Sequence, residues 1–411
     1  MSLSPAQLSR RRFLAGAGVA TSWVGFSSAL AGTPIIPLRA TAQSSSPAGD
    51  AAFIWRFEGA SPGPTLRVKR DEELRVRLIN ELTEPTSIHW HGLRLPNAMD
   101  GVPHLTQQPV APGASFDYVF RTPDAGTFWY HGHSPSHLDR GLYGALIVEE
   151  TQTIGVDQDI LLVLAAPFES AGAIRVNGVL DPVIPVRTGE RLRLRLINAT
   201  SVRAFSLKLD GHSPWVMAVD GQPADPFVAR EGRVALWPGS RLDLFVDALQ
   251  PAGAMASILA GSRELEPIAR LRYGAAQARP TPRAEPAPLP ANPLPGRIDL
   301  RNSLKLELAL AGGKPFEPGA PPLFTVRRGR AVTLAIRNAT GHAHVVHLHG
   351  HHFRFLDRFD DGWKPFWLDT LAVGDAVERI AFVADNPGKW LIEWRMLERA
   401  GSDGAVWFAV T

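Results

Sequence analysis

The chain has 411 residues, 45% of them hydrophobic and 20% charged, a balance that excludes a mainly disordered protein. Beyond the N-terminal region no uncharged apolar run reaches the roughly 18 residues that would cross a bilayer, which excludes a polytopic membrane protein. The formal charge of +3 arises at the N-terminus. Residues 1–42 hold Arg10, Arg11, Arg12 and Arg39 and no acid, so the rest of the chain is near neutral. No arginine stripe is visible, and no nucleic-acid partner is expected.

The segment Ser9-Arg10-Arg11-Arg12-Phe13-Leu14 precedes a weakly apolar stretch, Leu14 to Ala31. It reads as a twin-arginine export signal. Small-x-small cleavage sites occur at Ala29-Leu30-Ala31 and at Ala40-Thr41-Ala42, so residues 1–42 bound the signal. The mature protein is expected in the bacterial periplasm, monomeric and without a transmembrane anchor.

The chain carries 37 Gly and 35 Pro, which suits many turns rather than long helices. Strand-like alternation is predicted at Leu74–Ile79, Ser115–Phe120, Arg191–Ile197, Leu242–Val246 and Ala331–Ile336. Three segments, 64–92, 182–212 and 322–353, share one pattern: strand, basic turn, strand, Asn, short loop, strand. They begin about 120–140 residues apart, a domain-sized period. The Pro-rich run 279–296 reads as an extended linker. Three similar β-sandwich domains are therefore predicted, at 43–152, 153–278 and 297–411.

Thirteen histidines are present, and seven fall in three short motifs. These are His89-Trp90-His91-Gly92, Trp129-Tyr130-His131-Gly132-His133 and His344-Val345-Val346-His347-Leu348-His349-Gly350. Residues i and i+2 of a strand share a face, so each H-x-H aims two imidazoles the same way. Imidazole is a borderline ligand suited to copper or zinc. A single histidine is more often structural; three H-x-H pairs in a repeated context point to metal.

On these motifs the chain resembles the multicopper oxidases of the three-domain, laccase-like type. The flanking segments 100–113, 140–150 and 384–390 resemble that family as well. The resemblance implies an all-β architecture of three tandem cupredoxin-like (plastocyanin-like) Greek-key sandwiches. It implies that His89 and His347 bind the type 2 copper, and that His91, His131, His133 and His349 serve the type 3 pair. His344 falls at a type 1 position. Asp100 matches an acid that in the family holds water near the type 2 copper; as part of an Asp-Gly pair it reads equally as a turn residue.

The family's fourth motif, H-C-H-x-x-x-H, is broken. After Trp390, Glu393 stands at the first His position, Trp394 at the Cys, Arg395 at the second His and Arg399 at the last. The chain has no cysteine at all, so the thiolate of a type 1 site has no substitute. Trp394 is expected to fill that cavity and leave His344 as a leftover, hydrogen-bonded imidazole. Glu393 and Arg395 are expected to face the old cluster together. Glu393 is a candidate carboxylate ligand, whereas Arg395 stays protonated and cannot bind a metal, so a single ion is expected near His89 and His347 or near His133 and His349 with Glu393.

The sequence therefore suggests copper in fewer than four sites, served by copper ions or a small-molecule reductant, with laccase-type O₂ reduction lost. Glu393 and Asp100 are the candidate catalytic groups. The alternatives are a copper-storage protein, or a metal-free periplasmic scaffold acting through a protein partner. In that last respect the chain is similar to the cell-division protein FtsP (SufI). His104 and His137 read as loop or supporting residues rather than auxiliary ligands. His351 would join His347 and His349 on one face if its strand continued, and His212 reads as structural.

Overall fold

The computed structural model describes residues 33–43, 55–166, 173–274, 283–310, 316–357, 362–399 and 403–411. The predicted export signal, residues 1–42, lies outside the described residues apart from 33–42. Residues 35–411 form one compact unit.

Three pairs of sheets succeed one another along the chain. The first pair has four strands each, the second six and five, and the third five and five. In each pair, alternate residues of two facing sheets fill the space between them, as expected for sandwiches. The five strand predictions fall within the strands Glu73–Asn80, Ser115–Arg121, Arg191–Asn198, Arg241–Asp247 and Ala331–Asn338. One short α-helix occurs among the described residues, Pro135–Asp139.

The first domain starts earlier than residue 43. The strand Ile36–Ala42 pairs in parallel with Glu73–Asn80 and buries Leu38 and Ala40 in the core. Residues 283–296, the described part of the predicted linker, lie against the body of the protein, where Ala291 accepts a hydrogen bond from Arg70. Asn292 is buried there and hydrogen-bonds the backbone of Ala125 in both directions, at 2.9 and 2.8 Å.

Two strands of domain 1, Ile88–His91 and Gly126–Gly132, pair so that His89 lies opposite His131. Strand parity then separates the chemistry. Ile88, Trp90, Phe128 and Tyr130 point into the domain core, while the histidines face out of it. In domain 3, His344–Leu348 lies between Thr370–Val373 and Gly388–Met396, with His347 opposite both Thr370 and Glu393. Val346, Leu348, Ile392 and Trp394 fill that domain's core. His347, Glu393 and Arg395 share the opposite face, and it meets the histidine face of domain 1.

Candidate metal centre

All six predicted cluster histidines converge between domains 1 and 3. The His89 ring lies 4.0 Å from His349, 5.4 Å from His131, 5.5 Å from His347, 5.6 Å from His91 and 6.0 Å from His133, centroid to centroid. The rings of His91 and His347 stack at 3.7 Å. All but His133 are fully or nearly fully buried.

Their hydrogen bonds fix which nitrogen is free. A carbonyl oxygen can only accept, so an imidazole nitrogen bonded to one must carry the proton. His89 donates through Nδ1 to the Asp100 carbonyl at 3.0 Å, and His347 to the Asp369 carbonyl at 3.0 Å. His131 donates through Nδ1 to the Gly132 carbonyl at 2.8 Å, and His349 to the Asp100 carboxylate at 3.0 Å. Four imidazoles thus direct Nε2 into the cluster. The Nε2 atoms of His89 and His347 face each other at 3.3 Å. Those of His133 and His349 are buried without a hydrogen-bond partner among the described residues.

The electrostatics are set by burial and two carboxylates. Burial lowers the pKa of His91 and His131, brings His133 down to about 3 and His347 to about 4. For His349 burial works the same way, but the carboxylates of Asp100 and Glu393 outweigh it and raise the group to about 9. Burial also disfavours the charge on Asp100, yet His349 and His89 hold it well below the usual carboxylate range. Asp100 is therefore a buried anion that orients two imidazoles, and it also caps a turn of 3-10 helix at Asn97–Met99. Glu393 is likewise held low against its burial by Arg395 and then by His349.

Glu393 and Arg395 face the cluster side by side. The Arg395 guanidinium lies 3.5 Å from the Glu393 carboxylate, which in turn is 3.8 Å from His349 Nε2. Arg395 also borders a cavity of about 30 Å³ against His91, His131 and His347, room for a water or two. Donor atoms in four overlapping triplets lie within 4.8 Å of one another: His89/His347/His349, His89/His91/His131, His91/His347/Asp369 and His133/His349/Glu393.

The type 1 position is different. His344 is turned to the core face, buried, opposite Met396. Its Nδ1 donates to the His342 carbonyl at 2.9 Å and its Nε2 has no partner among the described residues. Trp394, in the core on that same face, packs so closely on Gly404 that a Cβ there would fall 2.3 Å from the indole. A copper site of the thiolate type does not fit these residues; a histidine-bound ion in the interdomain cluster does.

The remaining histidines are supporting. His137 is held by Thr86 at 3.0 Å and packs on Trp55, and His212 hydrogen-bonds Tyr273. The expectation for His351 is corrected: the strand stops at Leu348 and Gly350 turns the chain at φ +64°. His351 therefore enters a nest of Phe382, Trp390 and Phe408. Sequence reading missed a buried charge relay behind the cluster. Asp369 lies 3.4 Å from His91 Nε2 and 3.5 Å from His347 Nδ1. It takes a bidentate bond from Arg241 of domain 2 at 2.6 and 2.8 Å. Asp369 is 20 residues past His349, in no histidine motif, and only the pairing of His347 with Thr370 reveals its place.

Three cupredoxin-like sandwiches with a histidine cluster between the first and third define a class: the copper oxidases of this architecture and their relatives. Multicopper oxidase family models match residues 39–153, 129–263 and 290–411. The chain belongs to the multicopper oxidase family. It is 28% identical over 404 residues to the multicopper oxidase MmcO of Mycobacterium tuberculosis, covering 80% of this chain and 78% of that one. Among solved structures it is similar to a multicopper oxidase of Pseudomonas thermotolerans, at 32% identity and TM-score 0.79. It is also similar to Lac15 from a marine microbial metagenome, at 33% identity and TM-score 0.78. Both alignments cover 92% of this chain and 99% of the other.

Proposed function

We propose that this is a periplasmic member of the family that holds copper at His89 and His347, and does not carry out the four-copper reduction of O₂. One observation carries the reading. Both imidazoles are locked by Nδ1–H bonds to backbone carbonyls, which leaves two Nε2 lone pairs facing at 3.3 Å. Two facing lone pairs repel unless a proton or a metal ion lies between them. Burial lowers the pKa of His347 and so disfavours a proton on that ring, and a fixed Nδ1–H is the usual support for a metal-binding Nε2. Copper bound there would supply one-electron chemistry toward a small-molecule reductant. The protein's part is to fix the two tautomers and, through Asp100 and Asp369, to place negative charge behind them.

Glu393, Trp394 and Arg395 argue against a complete cluster. Trp394 removes the type 1 ligand, and Arg395 places a permanent cation against His91 and His131. At an effective dielectric of 20, unit charges 4 Å apart interact by about 4 kcal/mol, and against a dication this is repulsive.

The twin-arginine motif supports export. Cleavage after Ala31 leaves the strand Ile36–Ala42 in domain 1, whereas cleavage after Ala42 would remove it, so we assign the earlier site.

The test is a metal count. The chain from about residue 32 is loaded with Cu(II), desalted and measured by mass spectrometry beside His89→Ala and His347→Ala. The loss of one copper per chain in each of the two substituted chains, with no intense thiolate-to-copper visible band in the wild type, is the expected result. Four coppers, or water formed from O₂ during phenol oxidation, would overturn the proposal. No metal above background would leave a scaffold protein on this fold.

A further inference from the structure

We infer that Glu393 converts the neighbouring half of the cluster into a separate mononuclear site. This site is built by His133, His349 and Glu393, takes one divalent ion of the zinc class, and has an open position facing a cleft.

Three observations meet there. First, the Nε2 atoms of His133 and His349 are buried, and neither has a hydrogen-bond partner among the described residues. They belong to a triplet whose donor atoms all lie within 4.8 Å of one another, with Glu393 Oε1 3.8 Å from His349 Nε2. A tetrahedral ion with bonds of about 2.0–2.1 Å holds its ligands about 3.4 Å apart, and the His349–Glu393 pair at 3.8 Å is within a few tenths of an ångström of that spacing. Second, two imidazoles and one carboxylate with a vacant fourth position are the donor set of catalytic zinc sites. The carboxylate makes this site harder than an all-imidazole copper position. Third, a cleft of about 300 Å³ reaches His133 and Glu393 past Pro103, His104, Asp403 and Ala405. Asp403, with a buried carboxylate oxygen that has no partner among the described residues, lines this cleft together with Arg395, so the approach to the triplet is polar.

The same residues limit the site to one ion. Arg395, two positions along the strand, lines the cavity of about 30 Å³ beside His91 and His131, and its guanidinium lies 3.5 Å from Glu393 Oε1. A second metal bridged to the first has no room and meets a fixed positive charge. The inference does not require the copper reading: His349 is within reach of both sites, but His89 and His347 belong to one, and Glu393 and His133 to the other.

Co(II) replaces Zn(II) with a readable spectrum and is the probe. The metal-free chain is titrated with Co(II), then with Zn(II) in competition. Expected is one equivalent of Co(II) with four- or five-coordinate visible bands, displaced by Zn(II) and perturbed by azide, which enters the open position. Glu393→Gln, nearly the same shape without the charge, is expected to weaken that equivalent at least 100-fold. His133→Ala, at a partly exposed position just past the end of its strand, is expected to do the same. Melting curves of both variants establish that they are folded. In His89→Ala the Co(II) bands persist, while the copper count falls, so each reading fails by its own variant. Failure of the wild-type chain to bind Co(II), or full Co(II) binding by folded Glu393→Gln, overturns the inference.

Discussion

Asp100 shows how one side chain organises several. It is 1% exposed, and its carboxylate accepts from His349 Nδ1 at 3.0 Å and approaches His89 Nδ1 at 3.3 Å. In the metal-free chain it holds His349 charged, with the pKa raised to about 9 by Asp100 and Glu393 against the pull of burial. A raised folded pKa gives stability that is complete below the ordinary histidine value of about 6.5 and is lost as pH climbs through 9. The metal-free wild type is therefore expected to weaken between pH 7 and 9.5, by up to roughly 3 kcal/mol from this group. Asp100→Asn keeps the hydrogen-bond acceptor and removes the charge, so it should flatten that decline. Denaturant unfolding of the chelator-treated proteins at the two pH values measures it; equal slopes for both would refute the assignment. The six cluster histidines are legible in sequence because H-x-H spacing places both rings on one strand face. Asp369 is not, because it reaches the cluster only through cross-strand register.

The strand Arg191–Asn198 carries the same lesson for elements. Its sequence, Arg-Leu-Arg-Leu-Arg-Leu-Ile-Asn, alternates like a half-solvated strand, and the strand lies where that alternation places it. Yet every residue in it is buried. The arginine face lies against domain 1 rather than water. Arg193 and Arg195 share Asp243 at 2.6 and 3.3 Å, while Glu150 and Asp159 take their other nitrogens. Thr127 of domain 1 donates to Asp243 at 2.6 Å. Alternation reports that one face is polar; it cannot report which surface that polar face meets. Burial of two guanidiniums is tolerable only while they are paired. Asp243→Ala leaves both short of a partner and is expected to cost about 3–5 kcal/mol. A drop of several degrees in the thermal midpoint checks this, and an unchanged midpoint would show that the interface is solvated instead.

At the scale of the molecule, the cluster is an interface. Domain 1 contributes His89, His91, His131 and His133, and domain 3 contributes His347, His349 and Glu393. Domain 2 contributes none of these, but it supplies Arg241, fully buried, whose two bonds to Asp369 join it to the loop that orients His347. Asp220 of domain 2 adds to that joint by accepting from the backbone N–H groups of Asp369 and Thr370, at 3.2 Å each. Three repeats and a linker in the sequence point to three domains; which domains meet at the metal face depends on packing that no repeat encodes. If the ion is clamped between domains, binding must stabilise the assembled form: at 100 times the dissociation constant the gain is about 2.7 kcal/mol. Cu(II) is therefore expected to raise the thermal midpoint of the wild type. Arg241→Met keeps the bulk and removes the charge, leaving Asp369 buried without its main partner at a cost of about 3–5 kcal/mol. Loss of such an orienting partner typically weakens a metal site 10–100-fold, so the copper-induced rise should shrink in Arg241→Met although no ligand has changed. Calorimetric titration with Cu(II) beside the melting curves separates the two effects. Undiminished affinity in a destabilised Arg241→Met chain would mean that domain 2 braces the fold without tuning the site.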